Sequence, residues 1–273
     1  SFENEEVGAL LNKHFVCIKL DREERPDIDK IYMTFVQVTT EGRGGWPMSV
    51  FITPDKNPFF GGTYFRKPDF MNLCGRVNEL WHDAEKRPLI EKDAQRMREA
   101  LAENSTRKAD PDAKLNYGLL TNGLEQIKAT YDPRHGGFGN KPKFPRPCEP
   151  AFVLWQAARA KDKDGIGMVT HTCQRMAAGG MYDQLGGGFS RYSVDEMWLV
   201  PHFEKMLYDN AQLIHLYLDA YLVSGDTRHA AVVRDIIRYL RRDMTHEGGG
   251  WYSAEDADSE GQEGKFYCWT KVE

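Results

Sequence analysis

The chain has 273 residues, 41% hydrophobic and 12% aromatic, which is enough to build two cored domains. Its 36 basic and 41 acidic residues give a net charge of −5 with no basic block, which argues against an electrostatic nucleic-acid surface. The longest apolar runs, 48–52 and 151–155, fall far short of the roughly 20 residues a membrane-spanning helix needs, so a soluble protein without a membrane partner is expected.

Asn4 is a good N-cap, and Val7, Leu10, Leu11 and Phe15 recur at helical spacing, predicting an amphipathic helix over Glu5 to His14. Phe15 to Leu20, FVCIKL, reads as a buried strand. Pro26 suits the first turn of a second helix, where Asp27 and Asp29 meet the positive end of the dipole. Trp46-Pro47 leads into a strand from Met48 to Thr53. Turn chemistry over 53–58 and a returning strand from Phe59 make a hairpin. From Asp69 to about Ser105 the pattern is helical, with two apolar stripes separated by a break at Pro88. The polar, aperiodic stretch 104–112 marks a boundary between domains 1–108 and 113–273.

Beyond it the chain is helical and punctuated. Leu120, Leu124, Ile127 and Tyr131 define one helix, Phe152 and Trp155 a second, and Val169, Thr172, Cys173 and Met176 a third. The segment Phe203 to Val223 is apolar on nearly every face, predicting an inner, buried helix, whereas Asp226 to Met244 is apolar on one side only. Gly136-Gly137-Phe138, Gly186-Gly187-Gly188-Phe189 and Gly248-Gly249-Gly250-Trp251 repeat a glycine-aromatic separator. Helix pairs joined this way suggest an α/α toroid around a central cavity, with a plain helical solenoid as the alternative.

Five dispersed cysteines without a Cys-x-x-Cys or a zinc-ligand spacing fit buried thiols in a reducing, cytosolic or organellar setting. A start at Ser1 and a stop inside a strand-like stretch suggest a piece of a longer protein.

Polar chemistry is densest between Leu185 and Gln212. His202 and Glu204 at the expected helix start, with Asp209 further on, form an imidazole-carboxylate set suited to proton transfer. Asp195 is a second acid candidate beside Glu196, though a turn or cap role accounts for Asp195 and Asp183 equally. Arg191, Tyr192 and Asp183 could bind a hydroxyl-rich or acidic ligand, and Trp198 could stack on a sugar face. After Trp251, Glu255, Asp256 and Asp258 offer cavity-mouth acids. The EF-hand spacing they suggest fails because Tyr267 occupies the twelfth position. No protein-bound metal and no nucleotide cofactor are expected.

SFENEEVGALLNKHFVCIKLDREERPDIDKIYM and GGWPMSVFITPDKNPFFGGTYF resemble the thioredoxin-like N-terminal domain of the spermatogenesis-associated protein 20 family. The resemblance implies that Trp46-Pro47 is a cis-proline turn and that a cysteine motif lies ahead of the stretch equivalent to Ser1. KPKFP, GGMYDQLGGGFSRYSVDEMWLVPHFEKMLYDNAQL and GGGWYSAEDADSEGQEGKFYCWT are similar to that family's C-terminal half, which resembles six-hairpin glycosidases and sugar epimerases. The expected fold is therefore a thioredoxin-like α/β domain followed by the first hairpins of an (α/α)6 toroid. The expected ligand is a small molecule, with a sugar as the candidate class. The alternative is a thiol-redox or redox-regulated binding protein.

Overall fold

A computed structural model describes residues 4–105, 114 and 116–270, which fall into two compact units, Ser1–Ala113 and Lys114–Glu273. Ser1 to Glu3 and most of the expected boundary stretch lie outside the described residues.

In the first unit, α1 (Glu5–His14) starts where Asn4 Oδ1 accepts the Val7 amide at 3.4 Å, satisfying one of the N–H groups a helix start leaves unpaired. α2 (Pro26–Thr39) takes its proline in the first turn, where no N–H is needed. An antiparallel hairpin follows, β1 (Ser49–Ile52) against β2 (Pro58–Gly62), with Phe51 opposite Phe60. α2 packs tightly on β2. A Cβ at Gly61 would fall 3.1 Å from Val36 Cγ2 and 3.2 Å from Phe35 Cε1, so the absence of a side chain permits the approach. α3 (Lys67–His82) and α4 (Arg87–Ser105) complete the unit. Pro88 lies in the first turn of α4, so it opens a helix. Val7, Phe70 and Cys74 are the buried centre where α1 meets α3, with Phe15, Phe51 and Phe65 packed against them.

The expected buried strand Phe15 to Leu20 is not one. The segment pairs with no strand among the described residues, and Val16 and Ile18 are 94% and 74% exposed. An apolar run becomes a buried strand only when a neighbour supplies ladder partners and something covers its faces. Here only Phe15 finds cover, its ring 5.6 Å from that of Phe51.

The second unit contains α5 (Gly118–Lys128), α6 (Cys148–Ala160), α7 (Lys163–Ala177), α8 (Leu207–Ser224) and α9 (Thr227–Asp243). From α5 to α9 each helix packs on its successor, and in addition α6 adjoins α8 and α7 adjoins α9. That alternation makes two layers, the arrangement of the opening hairpins of an α/α toroid. One core joins them, running from Phe138 through Leu154, Cys173 and Phe189 to Tyr217 and Tyr239. α9 follows its sequence pattern. Asp226 caps it by accepting the Arg228 amide, and Val232, Ile236, Tyr239 and Leu240 are buried on one stripe opposite exposed Arg234, Arg238 and Arg241.

α8 departs from expectation in where it starts and in how much of it is buried, while its end, Ser224, lies within one residue of the expected Val223. It begins at Leu207, because Pro201–His202 (β4) pairs with Tyr192–Ser193 (β3), and Lys205–Met206 (β5) pairs with Ala254–Glu255 (β6). His202 and Glu204 therefore precede the helix. Nor is α8 buried all round: Leu213, Leu216, Tyr217 and Ala220 face the core while Leu218, Leu222 and Val223 are exposed, as is Trp155 on α6. A last hairpin joins β7 (Asp258–Ser259) to β8 (Gln262–Glu263).

The glycine-aromatic separators are structural repeats. In the first, the Asp132 amide donates to Gly137 O at 3.0 Å and the Gly136 amide to Asp132 O at 2.9 Å. In the second, Asp183 donates to Gly188 O at 3.0 Å and Gly187 to Asp183 O at 2.9 Å. Oδ1 of each aspartate accepts two turn amides, those of Arg134 and His135 or those of Leu185 and Gly186. Oδ2 of each holds the ammonium of a fully buried lysine, Lys143 at 2.6 Å and Lys205 at 2.8 Å. Each ammonium also donates to a carbonyl, Glu196 O or Gly187 O, and lies over an aromatic ring, Trp198 or Tyr239. The preceding tyrosines reach the helix beyond the next one: Tyr131 Oη lies 2.7 Å from His171 Nδ1 on α7, and Tyr182 Oη donates to Asp235 Oδ2 on α9 at 2.6 Å. The third separator keeps the backbone turn, with Thr245 bridged to Trp251. There the His246 ring, accepting from the Gly248 amide, stands where the others have an aspartate.

Candidate acid-base site

The β3–β4 pair sets His202 opposite Tyr192, their rings stacked with centroids 5.0 Å apart. Phe144 lies against Tyr192 at 4.6 Å, so three rings follow one another. His202 Nδ1 meets Glu263 Oε1 at 2.6 Å, and its Nε2 is 3.7 Å from Glu204 Oε2. That same Glu204 oxygen accepts from Arg191 Nη1 at 2.8 Å, and the Arg191 amide donates to the Glu204 carbonyl at 2.8 Å, which locks the pair's register. Asp209 enters from the first turn of α8. Burial pushes its carboxyl up to about 6; the Arg191 charge opposes this and Glu204 adds to it. For Arg191, burial disfavours the cation, but the bond to Glu204 outweighs it and holds the guanidinium above its ordinary value.

The site thus gathers Arg191, Tyr192, His202, Glu204 and Asp209 from the sequence candidates, and adds Glu263. An imidazole between two carboxylates, together with a carboxyl that burial raises to about 6, is a set of groups suited to taking up and returning a proton. Glu263 lies 61 residues beyond His202 and belongs to the acidic loop in which Asp256 and Asp258 stood out. The loop was recognisable. The β7–β8 turn decides which acid comes forward.

The remaining candidates have other occupations. Trp198 is fully buried, donates from Nε1 to His135 O at 2.9 Å and lies beneath Lys143, so it is not available to stack on a sugar. Asp195 accepts the amides of Met197, Leu199 and Val200, which hold its carboxyl low against the effect of burial. Asp183 anchors its turn and Lys205, and that ion pair keeps it ionised despite its burial. Glu255 accepts the hydroxyls of Tyr239 at 2.7 Å and Tyr267 at 3.0 Å, bracing the core. Asp256 and Asp258 are exposed, Asp256 Oδ1 accepting the Asp258 amide at 3.0 Å. Turns and active sites use the same acids, which is why composition alone could not separate them.

Lys143 and Lys205 are fully buried charges that no sequence pattern marks. They follow their aspartates by 11 and 22 residues, so no fixed spacing announces them. In the first unit, the Trp46–Pro47 peptide is cis, as is Lys141–Pro142 in the second. Trp46 Nε1 donates to Asp29 Oδ1 at 2.8 Å, and Arg22 lies 4.1 Å over its ring. The cysteines are not uniformly buried: Cys74 and Cys173 are, but Cys17, Cys148 and Cys268 are exposed. Their surroundings are surface loops, the exposed segment after α1 and the first turn of α6. No helix among the described residues is long and apolar enough to cross a membrane.

The first 102 residues match the thioredoxin-type family model Thioredox_DsbH, described as protein of unknown function, DUF255. All of the chain aligns with spermatogenesis-associated protein 20 of Homo sapiens at 44% identity and of Mus musculus at 43%, and with an uncharacterized Caenorhabditis elegans protein at 41%. It spans only 36 to 39% of the length of these relatives. Among solved structures, cellobiose 2-epimerase from Bacillus thermoamylovorans overlaps 51% of this chain and 40% of its own at 14% identity and a TM-score of 0.45. A sugar epimerase from a ruminal bacterium overlaps the same shares at 17% identity and a TM-score of 0.42. From end to end the chain is a relative of the spermatogenesis-associated protein 20 family, with the thioredoxin-like domain in its first 102 residues.

Proposed function

We propose that residues 1–108 form a thioredoxin-like domain and 113–273 the first part of an α/α toroid that performs acid-base chemistry on a sugar, as an epimerase or glycosidase does. His202, Glu204 and Asp209 exchange protons, Arg191 and Tyr192 bind, and Glu263 holds the imidazole. The observation that carries the reading is the Asp209 carboxyl, raised to about 6 beside the Arg191–Glu204 pair. The Phe144–Tyr192–His202 ring series supplies an aromatic border of the kind sugars pack against.

Thermal unfolding with a panel of mono- and oligosaccharides, alongside turnover assays, tests it. A sugar that binds only the folded state must raise the midpoint, and the rise and the turnover should vanish in His202→Ala without loss of fold. Because Asp209 is ionised only above about 6, base-dependent turnover should climb through that pH in the wild type and stay flat in Asp209→Asn. A full panel with neither midpoint shift nor turnover would sink the reading.

The thioredoxin-like match favours a second reading, thiol-disulfide or redox-regulated binding through cysteines preceding Ser1. Any residues upstream of Ser1 decide it, since the absence of a cysteine pair there ends the idea.

A further inference from the structure

The first two separators are built alike, so each serves as a control for the other. At the second, the positions around the tyrosine-helix contact hold Gly186, Asp235 and Tyr239, and their polar groups are answered: Asp235 by Tyr182 and Arg238, Tyr239 by Glu255, and the Gly186 carbonyl by Arg242. At the first, the corresponding positions hold His135, His171 and Arg175. His171 and Arg175 are one turn apart on α7 and so share a face. Tyr131 occupies His171 Nδ1 and leaves Nε2. The Arg175 stem passes His135's neighbour, its Cγ 3.4 Å from where a Cβ on Gly136 would stand.

His135 is only 8% exposed, yet no protein group among the described residues answers its Nδ1, nor the buried Arg175 Nε. Arg175 has no carboxylate partner among the described residues. The nearby acid, Asp132, is committed to Lys143 and to the amides of Arg134 and His135. Buried polar atoms without partners cost free energy comparable to a lost hydrogen bond, and His171 feels the charges of both Arg175 and His135; a guanidinium with two imidazoles near it, each able to present a ring N–H, matches the oxygens of an anion.

We propose that His135, His171 and Arg175 form a binding site for an oxyanion, the phosphoryl or carboxylate group of a small ligand. It is separate from the His202 site and does not depend on it.

Inorganic phosphate and, in a separate arm, acetate are titrated into the full chain, read by calorimetry and by the imidazole 1H–15N resonances of His135 and His171. Saturable shifts of both imidazoles are expected, with binding at least tenfold weaker in Arg175→Gln and unchanged in Arg234→Gln, which removes an exposed arginine of α9. Tighter phosphate identifies a phosphoryl ligand, and tighter acetate a carboxylate. If neither anion gives saturable shifts, or if Arg175→Gln binds as the wild type does, the proposal fails. Circular dichroism establishes that the variant folds. Should it not fold, the imidazole titration of the wild type decides by itself.

Discussion

The turns at Asp132 and Asp183 and the turn at His246 share one backbone design and differ in what lies over it. In the first two, a helix packs across the glycines and a lysine ammonium is enclosed with its aspartate. In the third, Gly249 and Gly250 have nothing within 4 Å of a would-be Cβ, and a histidine ring does the capping. The left-handed glycines are a property of the turn itself, since all three separators use them. The buried ion pair is a property of the packing above it.

Breaking that pair should show the contrast most strongly. Asp183→Ala leaves Lys205 buried and uncompensated, and should cost about 3–5 kcal/mol in urea denaturation, whereas the double variant Asp183→Leu/Lys205→Met should regain most of it. An Asp183→Ala protein of unaltered stability would mean the ammonium is solvated after all. Next in size is the glycine comparison. Gly188→Ala and Gly249→Ala both force a side chain to positive φ, at about 1–2 kcal/mol. Only the first also drives a methyl to 2.5 Å from Tyr239, adding about 1–3 kcal/mol of overpacking. Equal losses in the two variants would deny that the covering helix matters.

Acid sharpens the comparison further. Asp132 is held at about 2: burial would raise it, but Lys143 and the His135 and Arg134 amides prevail. A carboxyl lowered on folding gives stability that is complete above the ordinary carboxylate range and lost as pH falls through its folded value. Denaturation midpoints should therefore drop between pH 4 and 2 in the wild type and less in Asp132→Asn, by at most about 2 kcal/mol after allowance for solvent screening. The smallest effect belongs to the open turn, where His246→Ala removes one exposed bond and should cost under about 1 kcal/mol, a shift near the limit of a thermal melt.

Much of the fold was legible. α1, the β1–β2 hairpin and α9 follow from caps, proline placement and one-sided periodicity, which are rules of neighbouring residues. Phe15 to Leu20 and α8 differ from their sequence pattern for one reason: an apolar run records a preference for burial and does not name the surface that covers it. The start of α8 was displaced by strand pairing with residues about 50 positions downstream, which no helical periodicity contains.

The candidate site divides along the same line. The region Leu185 to Gln212 was evident from its density of polar groups, and within it Arg191, Tyr192, His202, Glu204 and Asp209 come together. By itself the sequence determined the helices, the glycine-aromatic turns and the stretch rich in chemistry, because each is encoded by residues within a turn or two of one another. Only the tertiary structure decided that Trp198 is core, that Asp183 holds a buried lysine, and that Glu263 faces His202. The role of a carboxylate or an indole is set by the partner it meets and the water it loses, and both come from distant parts of the chain.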